Sequence, residues 1–364
     1  MLGEGGKQLK NESSQPPVGR VSEGNVLEVN DLRTHFRAEQ GVVRAVDGVT
    51  FSLARGKALG IVGESGSGKT VLSRSIMGLL PKRTTIRSGS IRFEGREIID
   101  WGTSQMRTLW GTEMAMIFQD PMTSLNPVVK IGRQITEGLQ QRLGMAKVEA
   151  RATAQKLLED VRIPEPAQRL DEYPYQLSGG MRQRVSIAIA LACGPALLFA
   201  DEPTTALDVT VQAQILDLIQ QQQRDRNMAL VLVTHDLGVV AGRTDEIAVM
   251  YAGTLVEKAP TTVLFSKMKM PYTEALMRSI PKLENPSHTR LLAIGGRPPN
   301  LAAPPIGCPF SPRCLYAQDQ CRAERPPLIE AETPGHFYAC WYPVGSPEWA
   351  AAQDRIIPVA VGGA

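Results

Sequence analysis

The sequence predicts an α/β fold built on a parallel β-sheet, with a small irregular cysteine-containing domain towards its C-terminal end. Three observations carry this. Gly63-Glu64-Ser65-Gly66-Ser67-Gly68-Lys69-Thr70 is a GxxxxGK[ST] phosphate-binding loop. It lies between an apolar run, 58–62, and residues at helical spacing: Val71, Leu72, Ile76, Met77 and Leu80. Three more apolar runs, 196–200, 229–234 and 247–251, have the length of buried strands, and a helix-forming stretch, 211–223, separates the first two. Finally, Cys308, Cys314, Cys321 and Cys340 crowd into a region rich in Pro and Gly with little apolar periodicity, which needs a staple to fold.

The elements follow in order. Residues 1–24 are polar, lack the apolar core of a signal peptide, and read as a disordered lead-in. Alternating apolar positions between 26 and 51 predict antiparallel strands with a turn at 38–41, just after Phe36. A strand pair around 90–99 comes after the loop and its helix, then a short strand at 114–118 that ends in Gln119. From about 120 to 191 helix formers dominate, punctuated by Pro and Asp, as in an inserted helical lobe. The pattern weakens after Pro260; 271–280 is a short helix, and turns dominate from Pro281. The expected organisation is a main domain at 25–265, an appended unit at 266–345, and a loose tail at 346–364.

Bulk properties exclude some classes. A net charge of +3 is too small to argue for nucleic acid or anionic lipid, and 5% aromatics leaves little for a base-stacking surface, so no nucleic-acid partner is expected. The longest apolar stretch, 185–200, falls short of the roughly 20 residues that span a bilayer, and Gly194-Pro195 interrupts it. Any membrane role is expected to run through partner chains.

The residues that carry chemistry sit where strands end. Glycines at 63, 66 and 68 let the backbone wrap an oxyanion, with successive N–H groups and a helix N-terminus pointing at β- and γ-phosphates. Lys69 adds a point charge, and the Thr70 hydroxyl can ligate Mg²⁺. Asp201 closes an apolar strand, where an acid can hold Mg²⁺ directly or through water. Glu202 is the candidate general base for an attacking water, a role that brings about 10²–10⁴ in rate. His235 follows the next strand and could reach a γ-phosphate. Ser178-Gly179-Gly180 opens a strongly apolar helix and makes a second anion-binding helix start. One nucleotide does not need two such sites from one subunit, so a dimer is expected in which each Ser178 faces its partner's phosphate loop.

In sequence order, the loop at Gly63 to Thr70, Gln119, Leu177 to Gln183, Leu197 to Glu202, Thr205 to Asp208 and His235 resemble the nucleotide-binding subunit of an ATP-binding cassette transporter. The resemblance implies a P-loop NTPase: a RecA-like core, an antiparallel β subdomain and a helical subdomain. It also implies that Gln119 senses Mg²⁺ and γ-phosphate, that 205–208 (with Asp208) crosses to the partner, and that Phe36 stacks on adenine. Phe118 to Pro127, Tyr173 to Met181 and the cysteine region from Gly307 to Cys340 are similar to the peptide-importer branch. That branch implies an ATPase at the cytoplasmic face of the inner membrane, paired with a second, related ATPase. Two permease subunits and an extracytoplasmic peptide-binding protein complete it. Importers of nickel or other small solutes are the alternative, and a soluble non-transport cassette ATPase is the remote one.

Cys193 reads as a small core residue. The other four lack the tight C-x₂₋₄-C knuckle that zinc favours, and their spacing also differs from ferredoxin runs. The family resemblance implies a [4Fe–4S] cluster on Cys308, Cys314, Cys321 and Cys340, with free thiols or zinc the alternatives. His336 reads as a surface residue.

Overall fold

The computed structural model describes residues 24–39, 41–120, 124–204, 208–280 and 294–356. Two sheets form its frame. Strands β1 (Asn25–Ala38), β2 (Gly41–Ala54), β4 (Thr85–Phe93) and β5 (Arg96–Glu97) make an antiparallel sheet in the order β2-β1-β4-β5. Their alternation buries Leu27, Val29, Val46, Val49, Ile91 and Phe93 on one face.

The second sheet runs β11-β12-β10-β9-β3-β8-β7-β6. Its centre is parallel: β6 (Met114–Ile117), β7 (Leu197–Asp201), β8 (Ala229–Thr234), β3 (Ala58–Val62) and β9 (Glu246–Tyr251). Strands β3, β6, β7 and β8 are buried end to end, as continuous apolar runs covered on both faces should be. Helix α1 (Lys69–Ile76) follows β3, and Leu72 and Ile76 anchor it. It stops four residues short of Leu80, which is half-buried beyond its end. Helix α2 (Thr103–Leu109) leads into β6.

The helical lobe comprises α3 (Ile131–Leu143), α4 (Lys147–Asp160), α5 (Pro166–Arg169) and α6 (Gly179–Leu191). Ile131, Ile135 and Leu139 of α3 and Ala150, Ala154, Leu157 and Leu158 of α4 are buried at helical spacing and join the main core. Helix α7 (Val209–Asp225) returns the chain to β8, and the short α8 (Leu237–Val240) follows it.

The expected appended unit is instead a continuation of the core. Strand β10 (Thr254–Pro260) pairs antiparallel with β9, β12 (Phe337–Tyr338) pairs with β10, and β11 (Ile329–Glu330) with β12. Helices α9 (Thr261–Lys267), α10 (Pro271–Arg278) and α11 (Asp319–Ala323) lie between them. Cys308, Phe310 and Cys321 belong to the same buried cluster as the parallel strands. Weak periodicity is no bar to this, because single residues fill gaps in a core that other elements supply.

Three readings of the sequence need correction. The region after Gly345 is not a loose tail: α12 (Pro347–Ile356) forms there, and Trp349 packs on Tyr316 at 5.6 Å between ring centroids. His336 is not on the surface but 1% exposed, with Nε2 2.8 Å from Oε1 of the fully buried Glu257. Glu257 also accepts the N–H groups of Lys269 and Met270, so one carboxyl side chain in β10 fastens two later segments. Cys193 lies past the end of α6 and is only half-buried, though burial still raises its thiol pKa. The lead-in (1–23) lies outside the described residues, as do 121–123 and 205–207.

Candidate nucleotide site

Sheet register builds the site. Val62 pairs with Thr234, Asp201 with Val233, and Ile117 with Ala200. The phosphate loop, Glu202, His235 and Gln119 all leave their strands within two residues of these pairs. They therefore emerge together along the C-terminal edge of the parallel strands, where open α/β sheets bind ligands.

The loop is shaped by close packing. Gly68 has φ of +103°, and a Cβ there would lie 2.2 Å from the carbonyl oxygen of Ala45, so only glycine fits. The Gly253 N–H donates to the Ser67 carbonyl and ties the loop to the β9–β10 turn. Lys69 is buried, and its Nζ donates to the carbonyls of Gly63 (2.7 Å) and Glu64 (3.0 Å). Burial lowers its pKa, while the carboxylates of Glu202, Asp201 and Glu64 pull it back up.

Thr70 Oγ1 donates to Asp201 Oδ1 at 3.0 Å, joining the loop to β7. Asp201 is fully buried, and burial raises its pKa. Its Oδ2 and the Ser67 hydroxyl are both buried and have no hydrogen-bond partner among the described residues. Buried polar atoms are otherwise paired. An unsatisfied carboxylate oxygen beside a threonine hydroxyl suits a hard cation, and a spare hydroxyl in a ring of amides suits a phosphate oxygen.

Glu202 is the meeting point of three strand ends. Gln119 Nε2 donates to its Oε2 at 3.1 Å, and His235 Nδ1 lies 3.5 Å from the same oxygen. The Glu202 side chain is largely buried, whereas His235 is exposed and free to meet a ligand. Glu202 also has φ of +45°, a left-handed conformation that costs energy for a non-glycine residue. Its N–H donates to the Val233 carbonyl, which holds the carboxylate in that strained position.

The other expected residues lie apart from this group. The Ser178 hydroxyl caps α6 by accepting the Met181 N–H at 3.3 Å, and Ser178 and Gly179 are exposed. Asp208 caps α7 in the same way at 2.9 Å. A Cβ on Gly180 would lie 3.2 Å from Val211, so the two capped helix starts adjoin one another. Phe36 is half-buried in β1, two residues from Thr34, whose hydroxyl bonds to Ser75 of α1.

The four clustered cysteines are free thiols that share one neighbourhood. Burial pushes the Cys314 thiol up to about 12, with the charges of Cys308 and Cys321 adding to the effect. Cys340 is shifted in the same direction by burial and then by Cys308, Cys314 and Cys321. Among the described residues, however, no three His, Cys, Asp or Glu side chains are arranged to hold a metal ion. The thiols influence one another's charge, but their arrangement does not support the expected metal cluster.

Reasoning from motifs missed Tyr272, whose hydroxyl accepts the Glu64 N–H at 2.9 Å, and Arg313, which pairs with the Glu64 carboxylate. Arg313 lies in the Pro312-Arg313-Cys314 stretch of the importer resemblance, but the resemblance gave it no role, and Tyr272 carried no signal at all. The isolated charge of Arg313, in a stretch that is otherwise apolar or small from Cys308 to Cys314, was the one available signal.

Comparison with known proteins fits this picture. Residues 46–205 match the family model for the ABC transporter, and 256–321 match the oligopeptide/dipeptide transporter C-terminal region. The chain is 50% identical over 87% of its length to a probable peptide ABC transporter ATP-binding protein, y4tR, of Sinorhizobium fredii, covering 94% of that protein. It is 48% identical over 88% of its length to the oligopeptide transport ATP-binding protein OppD of Salmonella typhimurium, again covering 94%. The dimeric structure of MJ0796, a bacterial ABC transporter cassette, superposes with a TM-score of 0.58 at 25% identity, over 65% of this chain and 98% of that one.

Proposed function

The chain belongs to the ABC transporter family, and on that premise we propose that it is the ATP-hydrolysing subunit of a peptide importer. One observation carries the hydrolytic part: Gln119 and His235 converge on the Glu202 carboxylate, beside the Thr70–Asp201 contact at the mouth of the phosphate loop. Lys69 and the loop N–H groups hold the phosphates of ATP. Thr70, Asp201 and Gln119 hold Mg²⁺, which when bound neutralises phosphate charge. Glu202 takes the proton from the attacking water, and His235 and Gln119 orient Glu202 and the γ-phosphate. Phe36 stacks on the adenine.

The peptide part is supported by the relatives' described roles and by the match of 256–321. No described helix is long and apolar enough to cross a membrane, so translocation needs permease chains, and this subunit sits peripherally against them. The Ser178-Gly179-Gly180 helix start, exposed at Ser178 and Gly179, completes the ATP site of a second cassette, identical or related, that also serves the complex. Closure on ATP and reopening after hydrolysis swing the helical lobe, and the surface after Gln119 carries that motion to the permeases.

The test is Glu202→Gln in the purified transport complex. ATP binding persists, closed dimers accumulate, and turnover falls by at least about 10². Unchanged turnover overturns the role of Glu202. Transport of labelled peptide against labelled nickel decides the cargo. The resemblance of the cysteine region to the peptide-importer branch, and not the arrangement of the thiols, is the ground for reading Cys308, Cys314, Cys321 and Cys340 as the ligands of a [4Fe–4S] cluster. Anaerobically purified protein is then brown, with about four irons per chain. A colourless, iron-free and fully folded chain removes the cluster.

A further inference from the structure

Within the ATP-site reading above, on which this rests, we propose that Arg313 of the C-terminal extension is a positioning residue of the phosphate loop. It cancels the charge of Glu64 and so sets the affinity for ATP.

The contact is built on every side. Arg313 Nη1 donates to Glu64 Oε2 at 2.6 Å, and Nη2 to Oε1 at 2.9 Å, a planar two-pronged pair. Its remaining donors reach the Gly295 carbonyl at 2.8 Å, the Ile294 carbonyl at 3.2 Å and the Tyr251 hydroxyl at 3.3 Å. The guanidinium also lies over the Tyr251 ring at 5.9 Å. The Arg313 side chain is 3% exposed. Tyr251, Tyr272 and Phe310 wall it in, with ring centroids 4.5–5.3 Å apart. A fully satisfied guanidinium in such a nest holds one geometry.

What it holds is the second residue of the loop whose N–H groups face phosphate. The loop's own Glu64 N–H is already spent on Tyr272, another residue C-terminal to the parallel strands. Without Arg313, the partly exposed Glu64 carboxylate stands uncompensated beside a triphosphate, and like charges at close range repel, the more so at low salt. The Arg313 N–H donates to the Phe310 carbonyl, and the next residue is Cys314. The four-cysteine region therefore sets where Arg313 sits, and through it the charge at the ATP site.

The test measures MgATP affinity by titration calorimetry on the full chain, at low and high salt, with unfolding midpoints in parallel. Arg313→Ala weakens ATP binding about tenfold, equivalent to about 1.4 kcal/mol, and the loss shrinks at high salt. Arg313→Lys retains most of the affinity. Adding Glu64→Gln to Arg313→Ala recovers most of the loss, because the repelling charge is gone. A packing role alone predicts the opposite: a double variant at least as weak as Arg313→Ala, with no salt dependence. That result overturns the proposal, as does unchanged affinity in Arg313→Ala. If Arg313→Ala does not fold, comparing Arg313→Lys with Arg313→Lys/Glu64→Gln carries the test by the same criterion. Lys69→Ala serves as the control. Wild-type ATP affinity in Lys69→Ala overturns the ATP-site reading itself, whereas its loss alongside a normal Arg313→Ala overturns only this inference.

Discussion

Two glycine-led helix starts face different surroundings in this chain. The first, at Gly68 and Lys69, is packed with charge: Lys69 and Asp201 are buried, Thr70 bonds to Asp201, and Glu202 lies within the field of Lys69. The second, at Ser178 and Gly179, is exposed, and its one polar side chain is turned inward to cap its own helix. Both carry the positive end of a helix dipole, but only the first has groups that could hold a cation or move a proton. On the proposed function, a chain that holds both owns halves of two composite sites.

The contrast can be tested from its strongest consequence downward. Lys69→Ala lowers the ATP affinity of the isolated chain at least about 100-fold, the loss expected when a buried charge partner is removed. Ser178→Arg lowers that affinity less than about threefold yet abolishes ATP-driven dimerisation, followed by light scattering, because the added bulk meets the partner's nucleotide. Equal effects in the two variants would mean that the two starts serve one site within one chain. Phe36→Ala weakens ATP about tenfold, and GTP by a similar factor, since stacking is worth about 1–3 kcal/mol and tolerates any base. No change leaves Phe36 as a packing residue.

The smallest effect concerns pH. Burial raises the pKa of Asp201, so the folded chain holds that proton more tightly than the unfolded one. Without Mg²⁺, the stability tied to this group is present at low pH and is lost as pH rises through the raised value. Mg²⁺ reverses the preference, because it needs the carboxylate. The Mg²⁺-dependent part of ATP affinity therefore falls on acidification, at a pH above the usual aspartate value, and Asp201→Asn removes this dependence. The check is a calorimetric titration of MgATP across pH for both proteins.

Much of this was legible in order along the chain. The stretches at 58–62, 196–200 and 229–234 are near-continuous apolar runs, and such a run has one stable place, the middle of a covered sheet. Once those strands are parallel, the residues after them must meet at one edge, so Glu202, His235 and Gln119 could be grouped before any coordinates. The extension resisted the same reading. Residues 307–311 are buried as one short turn-rich run, and Tyr316 and Cys321 are buried singly, without a period that marks a face. His336 is buried by its bond to Glu257, 79 residues away, and nothing near either residue announces the pair.

The sequence by itself therefore determined the chemistry of the phosphate site. Anion binding by backbone N–H groups uses consecutive residues, and strand order carries the catalytic side chains to one edge. Only the tertiary structure decided that the extension is part of the main sheet, and that Arg313 closes on Glu64 across 249 residues. A salt bridge depends on where two side chains arrive in space. Local pattern sets the conformation of each segment, whereas that meeting point is set by how the whole core packs.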